Sequence, residues 1–120
     1  KIEGLMQKDN YIEQICVAGS GESQPICLIE LSEVAKDQLP GAAKEIETRI
    51  MNTMAEVNKE LEHHEVVERL FIISDVWTPE NGMLTPTMKI KRNQVEKHYT
   101  ELCVEYRDSK KPFVWAEAQI

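Results

Sequence analysis

Ile26-Cys27-Leu28-Ile29-Glu30-Leu31 is apolar at every position but one, and so continuous a run reads as a strand buried on most of both faces. Upstream, Tyr11 to Val17 sets Ile12, Ile15 and Val17 around polar Glu13 and Gln14, then gives way to Gly19-Ser20-Gly21. That is a strand running into a loop. The seven residues from Gly19 to Pro25 that separate the runs are rich in Gly, Ser and Pro, which predicts an antiparallel pair. Ahead of it, Leu5 and Met6 belong to a short helix stopped by the turn residues Asp9-Asn10.

Downstream, Ser32 is a helix N-cap for Glu33 and Val34, and Leu39-Pro40-Gly41 breaks that helix. From Ala42 the pattern is helical, with Ile46, Ile50, Met54, Val57 and Leu61 on one stripe and Lys44, Glu45, Glu47, Arg49, Glu56, Lys59 and Glu60 elsewhere. One face is expected to cover a sheet. His63 and His64 are read as cations at this helix's C-terminus, since adjacent residues point about 100° apart and suit no shared metal. Leu70-Phe71-Ile72-Ile73 is a short buried strand, and Ser74 to Pro86 a long ordered loop. A helix resumes at Gln94 with Val95, His98, Tyr99, Leu102 and Tyr106 on one face, and Lys110-Lys111-Pro112 leads to a last segment with Phe113, Val114 and Trp115. The fold class is therefore α+β, a small single-layer sheet of about three core strands flanked by helices.

The whole chain has 120 residues, 42% hydrophobic and 29% charged, the size of one domain that buries roughly two-thirds of its unfolded surface. No apolar run approaches the ~18 residues of a membrane span, and branched apolar residues are too frequent for disorder. Cys16, Cys27 and Cys103 are too far apart for a zinc knuckle or a redox pair. Their odd number fits a reducing, cytoplasmic compartment, and Cys16 and Cys27, inside apolar runs, read as inert core thiols. No metal site is expected. The net charge of −7 is uneven: residues 1–84 hold 7 Lys/Arg against 16 Asp/Glu, and residues 85–111 hold 7 against 4. So acidic a chain is no nucleic-acid binder, but Lys89, Lys91 and Arg92 form a basic cluster suited to one phosphate or carboxylate.

None of the self-contained catalytic signatures is present, neither a P-loop nor G-x-G-x-x-G, H-E-x-x-H or G-x-S-x-G. The informative stretch is Trp77-Thr-Pro-Glu-Asn-Gly-Met-Leu-Thr-Pro-Thr-Met-Lys-Ile-Lys-Arg92, whose indole, two prolines and Asn-Gly turn describe an ordered, presented loop. If residues 87–91 run extended, Thr87, Lys89 and Lys91 face one way and Met88 with Ile90 the other, displaying a lysine pair on an apolar backing. A lysine so delivered can satisfy an anion forming in another domain's cleft.

This run, ahead of Glu96-Lys97-His98-Tyr99, resembles the C-terminal lysine motif of the adenylate-forming (AMP-binding) enzymes, most closely that of long-chain acyl-CoA synthetases. Ile2-Glu3 with Leu5-Met6 is similar to the Ile-Glu helix that follows the hinge in that family. Ile12-Glu-Gln-Ile-Cys-Val-Ala-Gly-Ser-Gly21 resembles its first core strand and loop, and Pro25 to Glu33 its next strand. The resemblance spans essentially the whole chain. It implies that Lys89 is the catalytic lysine, with Thr87, Lys91 and Arg92 supporting it, and that Met88 stands where the broader family has glycine.

The activity so implied has two steps. A fatty acid carboxylate attacks the α-phosphate of ATP to give acyl-AMP and pyrophosphate, and the thiol of coenzyme A then displaces AMP. ATP and coenzyme A are co-substrates, and Mg2+ is expected to accompany ATP on a large N-terminal domain that would be this domain's partner. In the family the small domain rotates between the steps, and Gly19, Ser20 and Gly21 are candidates for its coenzyme A side. The whole chain, 1–120, is expected to be this one C-terminal domain of a longer ligase, without large domain or hinge, folding but not catalysing alone. Any membrane association would be encoded outside it. The alternatives are a related adenylating enzyme that feeds a carrier protein or a reductase, and a stand-alone interaction domain with a basic edge.

Overall fold

The computed structural model describes residues 2–18, 24–106 and 111–116. The elements are, in chain order, α1 (Ile2–Met6), β1 (Ile12–Ala18), β2 (Ile26–Leu31), α2 (Glu33–Lys36), α3 (Ala43–Asn58), β3 (Arg69–Ile73), α4 (Arg92–His98), α5 (Thr100–Glu105) and β4 (Phe113–Trp115). The strands form one sheet in the order β1-β2-β3-β4. β1 pairs antiparallel with β2, as the short Gly/Ser/Pro connection requires, whereas β2–β3 and β3–β4 are parallel. The fourth strand extends the three expected from sequence. At three residues β4 is too short to announce itself by alternation, and its strand character comes from pairing Phe113, Val114 and Trp115 with Leu70, Phe71 and Ile72.

Every residue of β2 and of β3 is buried, because the sheet is covered on both faces. Cys27, Ile29 and Leu31 point to one face, where they meet Met6 of α1 and the stripe Ile46, Ile50, Met54 and Val57 of α3. Ile26 and Leu28 point to the other, with Phe71 and Ile73, against Trp77, Met83, Leu84, Val95, Tyr99 and Leu102. One face is thus a helix-on-sheet core, and the other carries the long loop and the C-terminal helices. Ser32 caps α2, its hydroxyl oxygen accepting the Ala35 N–H at 3.4 Å.

α3 stops at Asn58, short of Leu61. The Asn58 side chain turns back onto Val67, accepting its N–H at 3.0 Å and donating to its carbonyl at 3.3 Å, and this exchange leads the chain out of the helix. His63 and His64 consequently do not end α3. They are exposed in a separate 3-10 turn, His63–Glu65, where Glu65 accepts the Glu62 N–H at 3.1 Å. The last helix also departs from expectation: it begins at Arg92 and breaks at Tyr99 into α4 and α5. Val95, Tyr99 and Leu102 are buried and Tyr106 packs against them, but His98 is exposed.

Cys16, Cys27 and Cys103 are free thiols. Cys16 and Cys27 are fully buried, and burial pushes the Cys16 thiol up to about 12 and Cys27 in the same direction, so neither is a thiolate at neutral pH. No described helix is long and apolar enough to cross a membrane.

Candidate functional site

The segment after β3 leaves the sheet and doubles back to α4 as a narrow hairpin. Asn81 organises its root. The Asn81 side-chain oxygen accepts the N–H of Thr78 at 3.0 Å and of Met83 at 3.2 Å, while its amide donates to the Val76 carbonyl at 2.8 Å. Its own N–H donates to Thr78 Oγ1 at 3.1 Å. Gly82 follows at φ +83°, the left-handed conformation that glycine adopts at no steric cost, so the Asn-Gly pair is used as turn chemistry predicts.

Beyond this turn Met83 and Leu84 are buried, fixing the first arm of the hairpin to the sheet. The arms meet at an antiparallel bridge between Leu84 and Ile90, and the Lys91 N–H donates to the Met83 carbonyl at 2.9 Å. At the tip the Thr85 N–H donates to the Lys89 carbonyl and the Met88 N–H to the Thr85 carbonyl, both at 2.8 Å. Thr85 Oγ1 accepts the Lys89 N–H at 3.0 Å and lies 3.1 Å from Thr87 Oγ1. Thr85 therefore holds both sides of the lysine's backbone. Its position in Thr85-Pro86-Thr87 is typical turn chemistry, and sequence reasoning passed over it.

Residues 87–91 are not extended. Met88 sits at φ +67°, a left-handed conformation that breaks the two-residue alternation. The residue is 55% exposed, so it provides no backing for the lysines. Ile90 does pack inward against the core. Lys89 and Lys91 are both exposed, and among the described residues neither ammonium has an ion-pair or hydrogen-bond partner. Thr87 is exposed beside them and interacts with Thr85.

Arg92 is turned elsewhere. Its Nη2 donates to Glu3 Oε1 at 2.8 Å, its Nη1 donates to Glu3 Oε2, and Nη1 also donates to the Val17 carbonyl at 3.0 Å. Glu3 Oε2 in turn accepts the Val17 N–H at 2.9 Å. Burial pushes the Glu3 carboxyl up, but the Arg92 hydrogen bonds, the Val17 N–H and the guanidinium charge outweigh it and hold the group below its ordinary range. The expected basic cluster thus divides into two exposed lysines and an arginine committed to α1 and β1.

Underneath, a buried polar relay fixes the root. The Trp77 N–H donates to Glu30 Oε1 at 3.1 Å, Trp77 Nε1 donates to the Tyr99 hydroxyl at 2.9 Å, and that hydroxyl donates to Asp75 Oδ2 at 2.7 Å. Burial pushes the Tyr99 phenol far up, and the bond to Asp75 adds to the effect, so the tyrosine stays a donor at physiological pH. Gly19, Ser20 and Gly21 lie outside the described residues.

Comparison with known proteins gives a consistent picture. The family described as the AMP-binding enzyme C-terminal domain matches residues 1–109. The carboxylic acid reductase of Mycobacterium marinum is 31% identical over 105 residues, covering 85% of this chain and 9% of that protein. Long-chain fatty acid CoA ligase 5 of Mus musculus is 29% identical over 116 residues, covering 82% of this chain and 17% of the ligase. In structure, the adenylation domain of a carboxylate reductase from Mycobacterium chelonae superposes with a TM-score of 0.78 at 21% identity, over 91% of this chain and 17% of its own. The chain therefore spans less than a fifth of the length of these relatives.

Proposed function

From a chain that belongs to the C-terminal domain family of AMP-binding enzymes, we infer the lysine-bearing domain of a fatty-acid-activating ligase, with Lys89 as its catalytic residue. The observation that carries this reading is the exposed Lys89 ammonium, without a partner among the described residues, at the tip of a hairpin whose backbone is pinned on both sides by Thr85. The remainder of the enzyme, with the ATP and fatty acid sites, is assigned to a preceding large domain.

In the first half-reaction a carboxylate oxygen of the fatty acid attacks the α-phosphorus of ATP. The bond from that phosphorus to the oxygen bridging the β-phosphate breaks, and pyrophosphate departs with the electron pair. Two anions must approach each other, and a compact ammonium with three donors can bridge both and stabilise the charge that develops. Two backbone hydrogen bonds and one to the Thr85 hydroxyl fix the tip that carries this ammonium. In the second half-reaction the coenzyme A thiol, losing its proton, attacks the acyl carbonyl and AMP leaves. Lys89 has no part in this step. Mg2+ is assigned, together with ATP, to the large domain.

The test is Lys89→Ala in the intact enzyme. Adenylation, read as ATP–pyrophosphate exchange, is expected to fall ~10²–10³-fold, with thioester formation from supplied acyl-adenylate little changed. Equal loss in both steps, or loss in neither, would sink the assignment. A second reading, in which the acyl group passes to a carrier protein or reductase, is favoured by the likeness to carboxylic acid reductases. Acyl transfer by the intact enzyme to free coenzyme A decides between the two.

A further inference from the structure

We propose that Glu3 and Arg92 form a positioning clasp for Lys89, a role that rests on the reading of Lys89 given above. The two are 89 residues apart in sequence. Arg92 is the first residue of α4 and stands three positions after the lysine, where the hairpin rejoins the fold. Among residues 89–93 it is the one described side chain that hydrogen-bonds outside its own segment, to Glu3 and Val17. The returning arm is otherwise attached through the two Thr85–Lys89 hydrogen bonds, the Lys91 N–H, the Leu84–Ile90 bridge and the partial burial of Ile90, all but the last to the hairpin's own first arm.

The chemistry of the clasp suits orientation better than stability. The Arg92 side chain is 48% exposed and that of Glu3 26%, and ion pairs near the surface contribute little to folding. A two-pronged guanidinium–carboxylate pair nevertheless fixes the relative angle of the groups it joins, which a single contact does not. Here both partners also bond the same peptide of β1, Glu3 accepting from the Val17 N–H and Arg92 donating to the Val17 carbonyl. Three segments therefore meet at one point: α1, the end of β1 and the exit of the lysine hairpin. Any rotation of α4's first turn, which would swing Lys89, has to break a bond to α1 or to the sheet.

Four variants of the intact enzyme, each assayed for both half-reactions, test the proposal. Arg92→Gln and Glu3→Gln are each expected to lower adenylation ~10- to 100-fold, the scale of a small misplacement of a reacting group, and to leave thioester formation from supplied acyl-adenylate little changed. The double variant is expected to be no slower than the worse single, because one interaction is lost either way. Arg92→Lys, which keeps the charge and loses the fork, recovers only part of the rate. Equal loss in the two half-reactions would mark the pair as a folding element only and overturn the proposal, as would losses that multiply in the double variant or full recovery with lysine. Full adenylation by Lys89→Ala in the same series would instead remove the reading on which the clasp depends.

Discussion

The indole N–H of Trp77 donates to the Tyr99 hydroxyl at 2.9 Å, joining the root of the lysine hairpin to the junction between α4 and α5. The rings lie 6.1 Å apart and both residues are buried. The tyrosine passes the bond on to Asp75, so a polar chain runs through the apolar packing beneath the loop and depends on every member being present.

Tyr99→Phe removes that middle member while keeping the ring. It leaves the Trp77 indole without its acceptor and Asp75 without the tyrosine's donation, and unfolding free energy should fall by about 1–3 kcal/mol. Urea denaturation of the purified chain measures it. A change under ~0.5 kcal/mol, the scale of a neutral surface substitution, would show that the relay does not hold the root.

Glu3 and Glu30 should pull stability in opposite directions across the acid range. For Glu3, burial is outweighed by Arg92 and Val17 and the folded value lies below 4.5. Its stabilisation is then complete above about 4.5 and is lost as pH falls through the folded value. For Glu30, burial dominates over the Trp77 N–H and Lys36, and the folded value lies above 4.5. Its ionisation costs stability as pH rises from 4.5 through that value. Glu3→Gln should therefore be less stable than the parent near neutrality and converge with it in acid. Glu30→Gln keeps an oxygen for Trp77 and should gain on the parent as pH rises. Denaturant titrations over this range that give both variants the same sign would refute the assignment.

Met88 adopts φ +67° without being glycine. Holding a side chain in that region costs about 1–2 kcal/mol, partly offset by the greater freedom that glycine has in the unfolded chain. Met88→Gly is accordingly expected to stabilise the protein by roughly 0.5–1 kcal/mol, and Met88→Val to destabilise it, since a branched side chain suits this region least. Thermal unfolding of the pair, compared with the parent, should bracket it. The reverse order would mean that the tip changes conformation when its residue changes.

What the sequence disclosed follows from how local each signal is. The stripe of α3 and the unbroken apolar runs of β2 and β3 are legible because helix and strand periods act over a few residues. The same logic overextended α3 to Leu61, because the Asn58 side chain ends it by bonding Val67 at a distance no period encodes. At the site, the position of Lys89 in an ordered loop was readable from Asn-Gly and the flanking prolines. Its immediate geometry was not, because one left-handed residue, Met88, cancels the alternation. Arg92 looked like a third cation for the same anion, yet its partner Glu3 lies at the other end of the chain. β4 escaped notice because a three-residue strand owes its existence to its neighbour.

β1 is an edge strand, and an exposed edge invites another chain to add a strand and begin aggregation. At Val17 the outward N–H and carbonyl are already taken by Glu3 and Arg92. An incoming strand would have to displace a carboxylate and a guanidinium together to pair there. The contact that holds the hairpin's exit therefore also blocks edge-to-edge pairing at this point of β1.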